Sequence, residues 1–335
     1  MTFRFLHRRF SVGRWLLLLL LVAMASILLP GSSRHARAQP PPLLALYPWQ
    51  TTELAYTWDE PLFENKGYVR NDGKSFHLFW YDSYGRFRVS RASQSPTFGY
   101  RMLTIDTGTN SPLLPTQLTD NRMVLGWHLF RIGHWDVGAI VGAGYDGNSP
   151  FDQTNAVYGV GHIQFSRSID RYDRVALTVD YSGFHSLLPD TPLPGFAFEH
   201  DSPGLHFKIG FPRDSINWKP LYHLDLSARY TVPYSGMAQV SYTLFHRVSV
   251  YGLYRNYFEG FHIRTNFPRN QRLFFEMDRA EIGLRYAHGS LIDISLGLGY
   301  AFNQNFSRGY DVRSLQPVAS ISNQPYVVFL LRGEF

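Results

Sequence analysis

From residue 291 onward the chain places Ile292, Ile294, Leu296, Leu298, Tyr300 and Phe302 on one side of an extended segment. Asp293, Ser295, Gly297, Gly299, Ala301 and Asn303 fall on the other. Side chains on a strand alternate faces with a period of two, so this order gives one apolar and one polar face and fits no helix. The pattern recurs with Tyr222, Leu224, Leu226, Ala228 and Tyr230 against His223, Asp225, Ser227 and Arg229. Val175, Leu177, Val179 and Tyr181 likewise oppose Ala176, Thr178, Asp180 and Ser182, and Ala280, Ile282, Leu284 and Tyr286 oppose Arg279, Glu281, Gly283 and Arg285. Charge on one face of otherwise apolar strands predicts a transmembrane β-barrel with hydrocarbon outside and a polar interior.

Less regular strands are predicted at 76–88, 98–106, 122–130, 135–145, 156–165, 205–211, 237–245 and 248–257, with a short first strand at 54–59 and a last one at 326–335. The expected fold is all-β, a single antiparallel barrel of about fourteen strands with about twelve as the alternative. The segments between strands predict its orientation, because such barrels have short periplasmic turns and long external loops. Segments 131–134, 246–247 and 287–290 are short, whereas 60–75, 107–121, 185–203, 257–272 and 303–324 are long. With both termini periplasmic, every one of these falls on its proper side. Two segments break the rule: 213–220 is long for a turn and 232–236 short for a loop.

The leader predicts export. Arg4, Arg8, Arg9 and Arg14 precede an apolar run from Trp15 to Leu29, and Ala36-Arg37-Ala38 offers a cleavage site. Residues 1–38 therefore read as a signal peptide, 39–53 as a short periplasmic segment and 54–335 as the barrel. The whole formal charge of +6 sits in that leader, since setting aside its six arginines leaves 26 basic against 26 acidic residues. The basic balance is thus an export signal, and nucleic acid is not an expected partner. Absence of cysteine excludes a lipoprotein anchor, a disulfide framework and a thiol nucleophile. The chain ends with Val327, Phe329, Leu331 and Phe335 spaced along one face, which resembles the terminal signal read by the barrel-assembly machinery. Outer-membrane lipid and the secretion and assembly machineries are the expected partners, in a Gram-negative outer membrane.

Three places carry a resemblance to a family. They are Leu193-Pro194-Gly195 leading to Gly210-Phe211-Pro212-Arg213, the strand Arg279 to Leu284, and Gly297 to Phe306 with its core Gly299-Tyr300-Ala301-Phe302. From about Arg171 to Tyr310 the chain resembles an uncharacterised family of outer-membrane β-barrels, a domain of unknown function. The resemblance implies fold and location but no activity.

The interior face is predicted to carry Asp180, His206, Lys208, His223, Asp225, Arg229, Arg279, Glu281, Arg285 and Asp293. These groups would line a passive pore or small-solute uptake channel, with mixed signs giving little ion selectivity. The alternative is that they pair across strands and leave a non-conducting structural or surface-contact barrel. A lipid-modifying enzyme needs a nucleophile and a base, and outer-membrane lipid hydrolases place His and Ser two residues apart. His200-Asp201-Ser202 is such a pair, but Pro203 follows it and no G-x-S-x-G occurs, so it reads as a polar loop entering a strand. No enzyme activity, cofactor or metal site is expected, since the histidines show no H-E-x-x-H or similar cluster. Glycines 138, 142 and 144 lie in a strand pattern and are expected to relieve crowding inside the barrel. Trp58, Trp80, Trp127, Trp135 and Trp218 suit interfacial girdles.

Overall fold

The computed structural model describes residues 54–334 apart from 64–65, 89–94, 150, 152, 246, 264–270 and 289–291. The expected signal peptide, the segment 39–53 and Phe335 lie outside the described residues.

The wall begins with β1 (Leu54–Phe63), and a hairpin of β2 (Gly67–Tyr68) and β3 (Ser75–Phe76) follows it. Next come β4 (Phe79–Arg88), β5 (Thr97–Asp106), β6 (Gln117–Ile132), β7 (Trp135–Gly147), β8 (Val157–Ser168) and β9 (Asp173–Ser182). The chain continues through β10 (Leu193–Ser202), β11 (Leu205–Phe211), β12 (Arg213–Leu221), β13 (Leu224–Thr231) and β14 (Ser235–Phe245). It ends with β15 (Val248–Phe261), β16 (Arg272–His288), β17 (Ile292–Gly309), β18 (Gln316–Ser320) and β19 (Gln324–Glu334). All pairings are antiparallel, and β1 closes the ring by bonding to both β19 and β4. Closure leaves no open edge, the condition for a sheet in hydrocarbon.

β18 and β19 follow the same partner strand in one register, with Asn305 opposite Ser320 and Ala301 opposite Gln324, so they fill one place in the wall. The barrel therefore has sixteen strands, not about fourteen. β10 and β12 are the additions. They occupy most of 193–221, which the sequence divides into an external loop, one strand and an over-long turn. Proline and glycine mask them: β10 opens Leu193-Pro194-Gly195, and β12 carries Pro220 at a register shift between Trp218 and Leu221. Because one strand was missed on each side of it, β11 runs opposite to its expected direction, and the strands before and after this region keep theirs. The start of β1 and the end of β19 share one rim, here called the terminal rim. Turns at 133–134, 169–172, 203–204 and 222–223 lie on that rim, and the connections 107–116, 148–156 and 183–192 on the far one.

Alternation is realised as the sequence predicts. Met123, Leu125, Val141, Ile163, Leu177, Phe196, Ile209, Ile282, Leu296 and Leu298 point outward and are exposed, while their chain neighbours point inward. Val327, Phe329 and Leu331 lie on this outer face of β19. Wall height is uneven. The 18 residues of β17 span about 60 Å along the strand and the 7 of β11 about 23 Å, at roughly 3.3 Å per residue. The strands that rise highest past the far rim are β6, β7 and β15 to β17, and they hold what fills the barrel.

That filling is apolar. Phe63, Phe76, Trp80, Leu103, Ile105, Phe261, Phe275, Met277, Phe306, Tyr326 and Val328 form one buried cluster inside the tall wall. Phe275 stacks on Phe306 at 4.6 Å, and Trp80 meets Tyr257 edge-on at 4.4 Å. Trp80 thus faces the interior and belongs to no girdle. The β2–β3 hairpin turns inward and zips onto the break between β18 and β19. Val69 bridges Ile321, Arg70 N donates to Ser320 O at 2.7 Å, and Ser322 N donates to Tyr68 O at 3.0 Å. Of the expected interior glycines, Gly144 shows the crowding directly: a Cβ there would overlap the Tyr158 ring.

Candidate functional site: the barrel interior and its terminal rim

Arginines and carboxylates from opposite walls meet in the lumen. Arg101 on β5 holds Asp82 in a two-pronged pair at 3.0 and 3.1 Å and also reaches Asp120 at 3.2 Å. Its Nη1 crosses to Glu259 on β15 at 2.7 Å. Arg122 bonds Asp120 at 2.5 Å and Glu259 at 3.4 Å. Tyr158 donates to Asp120 at 2.6 Å, and Tyr257 donates to Glu259. Asp59 on β1 accepts from Arg255 at 2.8 Å and Arg279 at 3.2 Å. Toward the far rim, His262 N donates to Asp146 O at 3.1 Å, tying the end of β15 to that of β7. These bonds draw two facing walls together and divide the interior.

On one side lies the filled wall, β16 to β19 with β1, β4 and β5. On the other lies a low wall, β10 to β14, most of whose inward side chains keep contact with solvent. Lys208, Lys219 and Asp225 have side chains 30 %, 34 % and 41 % exposed, whereas Arg279 on the filled side is at 3 %. Arg213, Ser215, Asn217, Ser227, Arg229 and Gln239 share the low wall and are all half-buried.

The sequence-predicted lining residues separate along this division. Asp180 faces inward but is held by His162 Nδ1 at 2.6 Å. Lys208 pairs with Glu199 at 2.9 Å, and His206 stands 3.5 Å from Asp201. Asp225 pairs with Lys219 at 3.3 Å, and Arg229 faces the low wall's lumen. Glu281 accepts from Tyr251 at 2.7 Å and Tyr326 at 3.0 Å, and Arg285 meets Asp293 at 2.5 Å. Two placements differ from expectation. Arg279 is sealed beneath the rings of Trp80 and Tyr326 rather than open to the lumen. His223 sits exposed in the turn between β12 and β13, against Tyr222, because the strand begins only at Leu224. Sequence reasoning missed the cross-barrel groups Arg101, Arg122, Asp120 and Glu259. Their inward parity is legible in their strands, but which strand stands opposite is not.

The His200-Asp201-Ser202 segment is also placed differently. It forms the last residues of β10 at the terminal rim, not a loop mouth on the external side, and Pro203 lies in the turn beyond the strand. His200 and Ser202 share the outer face with Phe196 and Phe198, while Glu199 points inward to Lys208. Asp173 on β9 stands opposite His200 in register. His200 Nδ1 lies 2.7 Å from Asp173 Oδ1, and its Nε2 lies 2.9 Å from Ser202 Oγ. Among the described residues no cluster of three or more His, Cys, Asp or Glu is placed to hold a metal ion.

No family model matches the chain, and no curated protein matches it. Among solved structures it is similar to the NanC porin, at 8% identity over 84% of this chain and 100% of that one, with a TM-score of 0.30. It is also similar to the toluene transporter TbuX of Ralstonia pickettii, at 11% identity over 86% of this chain and 90% of that one, TM-score 0.35. A FadL homologue of Pseudomonas aeruginosa matches at 9% identity over 84% and 88%, TM-score 0.35.

Proposed function

We propose that the protein is an outer-membrane channel passing small polar solutes along the low wall, with both termini periplasmic. The observation that carries this reading is the contrast in solvent contact between the two walls: Lys208, Arg213, Asn217, Asp225, Arg229 and Gln239 of β11 to β14 stay half-exposed, while Asp59, Asp82, Arg86 and Arg279 of the filled wall are buried. A barrel of sixteen strands is wide enough for this, since barrels of about that size retain an aqueous channel. Filling one side then narrows the route rather than abolishing it. The resemblance to an uncharacterised outer-membrane barrel family belongs to the same reading, as does an assembly-signal role for Val327, Phe329 and Leu331.

The cross-barrel bonds favour a second reading, a closed barrel that conducts nothing until Glu259 lets go. Single-channel recording separates the two. Refolded protein in a planar bilayer should give stepwise conductance, and Arg213→Glu with Arg229→Glu should shift its selectivity toward cations. A folded but silent barrel, silent also as Glu259→Gln, would overturn the channel.

A further inference from the structure

We propose that Asp173, His200 and Ser202 form an acyl-ester hydrolase site on the lipid-facing surface of the terminal rim, acting on glycerophospholipids of the adjoining leaflet. The site is independent of whether the lumen conducts. Serine attack needs a base within hydrogen-bond reach of the hydroxyl and a third group that fixes the base's tautomer. All three are present at 2.9 Å and 2.7 Å, in the order Ser202, His200, Asp173. Strand geometry builds the relay: residues two apart on β10 share a face, and the register brings Asp173 directly across from His200.

Its surroundings select the substrate. Register partners on the same outer face are Phe207 and Ile216 beside His200, and Leu205 and Trp218 beside Ser202. Phe207 stacks on the His200 ring at 5.2 Å, fixing its plane. An apolar apron around a polar relay, at the rim where hydrocarbon gives way to water, fits an ester bond with acyl chains on one side and a head group on the other. Arg171, in the turn before Asp173, lies over the Tyr172 ring at 5.2 Å and supplies a cation for a lipid phosphate. The side chains of His200 and Asp173 are 25 % and 28 % exposed, so a substrate can reach them.

In the reaction Ser202 Oγ bonds to the ester carbonyl carbon as its proton passes to His200 Nε2, while Asp173 holds the Nδ1 proton. Collapse of the tetrahedral intermediate breaks the bond to the glycerol oxygen, which takes that proton from His200. Water, deprotonated by His200, then attacks the acyl-serine, releasing a fatty acid and restoring the hydroxyl. Gly204 lies in the turn after Ser202 at φ +83°, and its amide is the candidate donor to the oxyanion.

The test uses the mature protein reconstituted in phosphatidylcholine vesicles with labelled acyl chains, and a fluorophosphonate probe on the same preparation. Wild type should release labelled fatty acid and take one phosphonate on Ser202. Ser202→Ala should lose both at unchanged conductance and unchanged heat-modifiable gel mobility. Asp173→Asn, which keeps shape and removes charge, should cut release by about 10³- to 10⁴-fold. Folded wild type that neither labels nor releases lipid, or release that survives Ser202→Ala, would overturn the site and leave the channel untouched.

Discussion

Arg101 and Glu259, separated by 158 positions in the chain, meet at 2.7 Å across the barrel interior. Removing one partner of such a buried pair leaves the other charge unpaired and costs about 3–5 kcal/mol. Glu259→Ala should therefore lower stability by about that amount in urea, and replacing the whole triad, Arg101→Met with Glu259→Leu and Asp82→Leu, should recover most of it. Equal midpoints for the single and triple variants would show that the pair does not hold the walls.

Gly144 makes room for Tyr158, whose hydroxyl donates to Asp120 at 2.6 Å. Gly144→Val should displace the ring, break that bond and lower stability by about 1–3 kcal/mol through overpacking. Gly144→Val combined with Tyr158→Ala should restore the fit, read from unfolding midpoints.

The outer face makes a sharper demand. Leu296 is 59 % exposed on it, between Ile294 and Leu298. Leu296→Arg should cost about 2–4 kcal/mol near the bilayer midplane, whereas Ser227→Arg on the lumen side should cost far less. Folding yield into vesicles measures both. Comparable losses would mean that the lumen side is as closed to charge as the lipid side.

His185, in the far-rim connection, is pushed down to about 4 by burial, with Arg213, Arg122 and Arg272 adding and Asp180 opposing. A base with a depressed pKa is held neutral by the fold. Its contribution is full above the ordinary histidine value of about 6.5 and is lost as pH falls toward the folded value. The connection 183–192, tied down by Arg272 Nη2 on His185 O at 2.7 Å, should loosen as pH falls from 7 to 4.5. Hydrogen exchange of its amides reports this, and His185→Asn should flatten the dependence.

Much of the architecture was legible from residue order. The alternation in 292–303 fixes which side chains meet lipid, because a strand has no other way to satisfy it. Loop parity fixes the direction of every strand but β11, which lies between the unseen β10 and β12 and so runs the other way. Those two were hidden because Pro194, Gly195 and Pro220 mimic loop chemistry, while their ladders come from neighbours in space. The pairing of His200 with Ser202 is local, two residues along one strand, so sequence could raise it. Asp173 comes from the preceding strand, and only register brings it opposite. Likewise the inward parity of Arg101, Asp120 and Glu259 is a property of each strand, but their meeting depends on how the closed ring flattens. Sequence by itself determined the periodic part, which face is apolar and, β11 apart, which way strands run. Tertiary structure decided which inward groups meet across the barrel, because closure sets distances that no local period encodes.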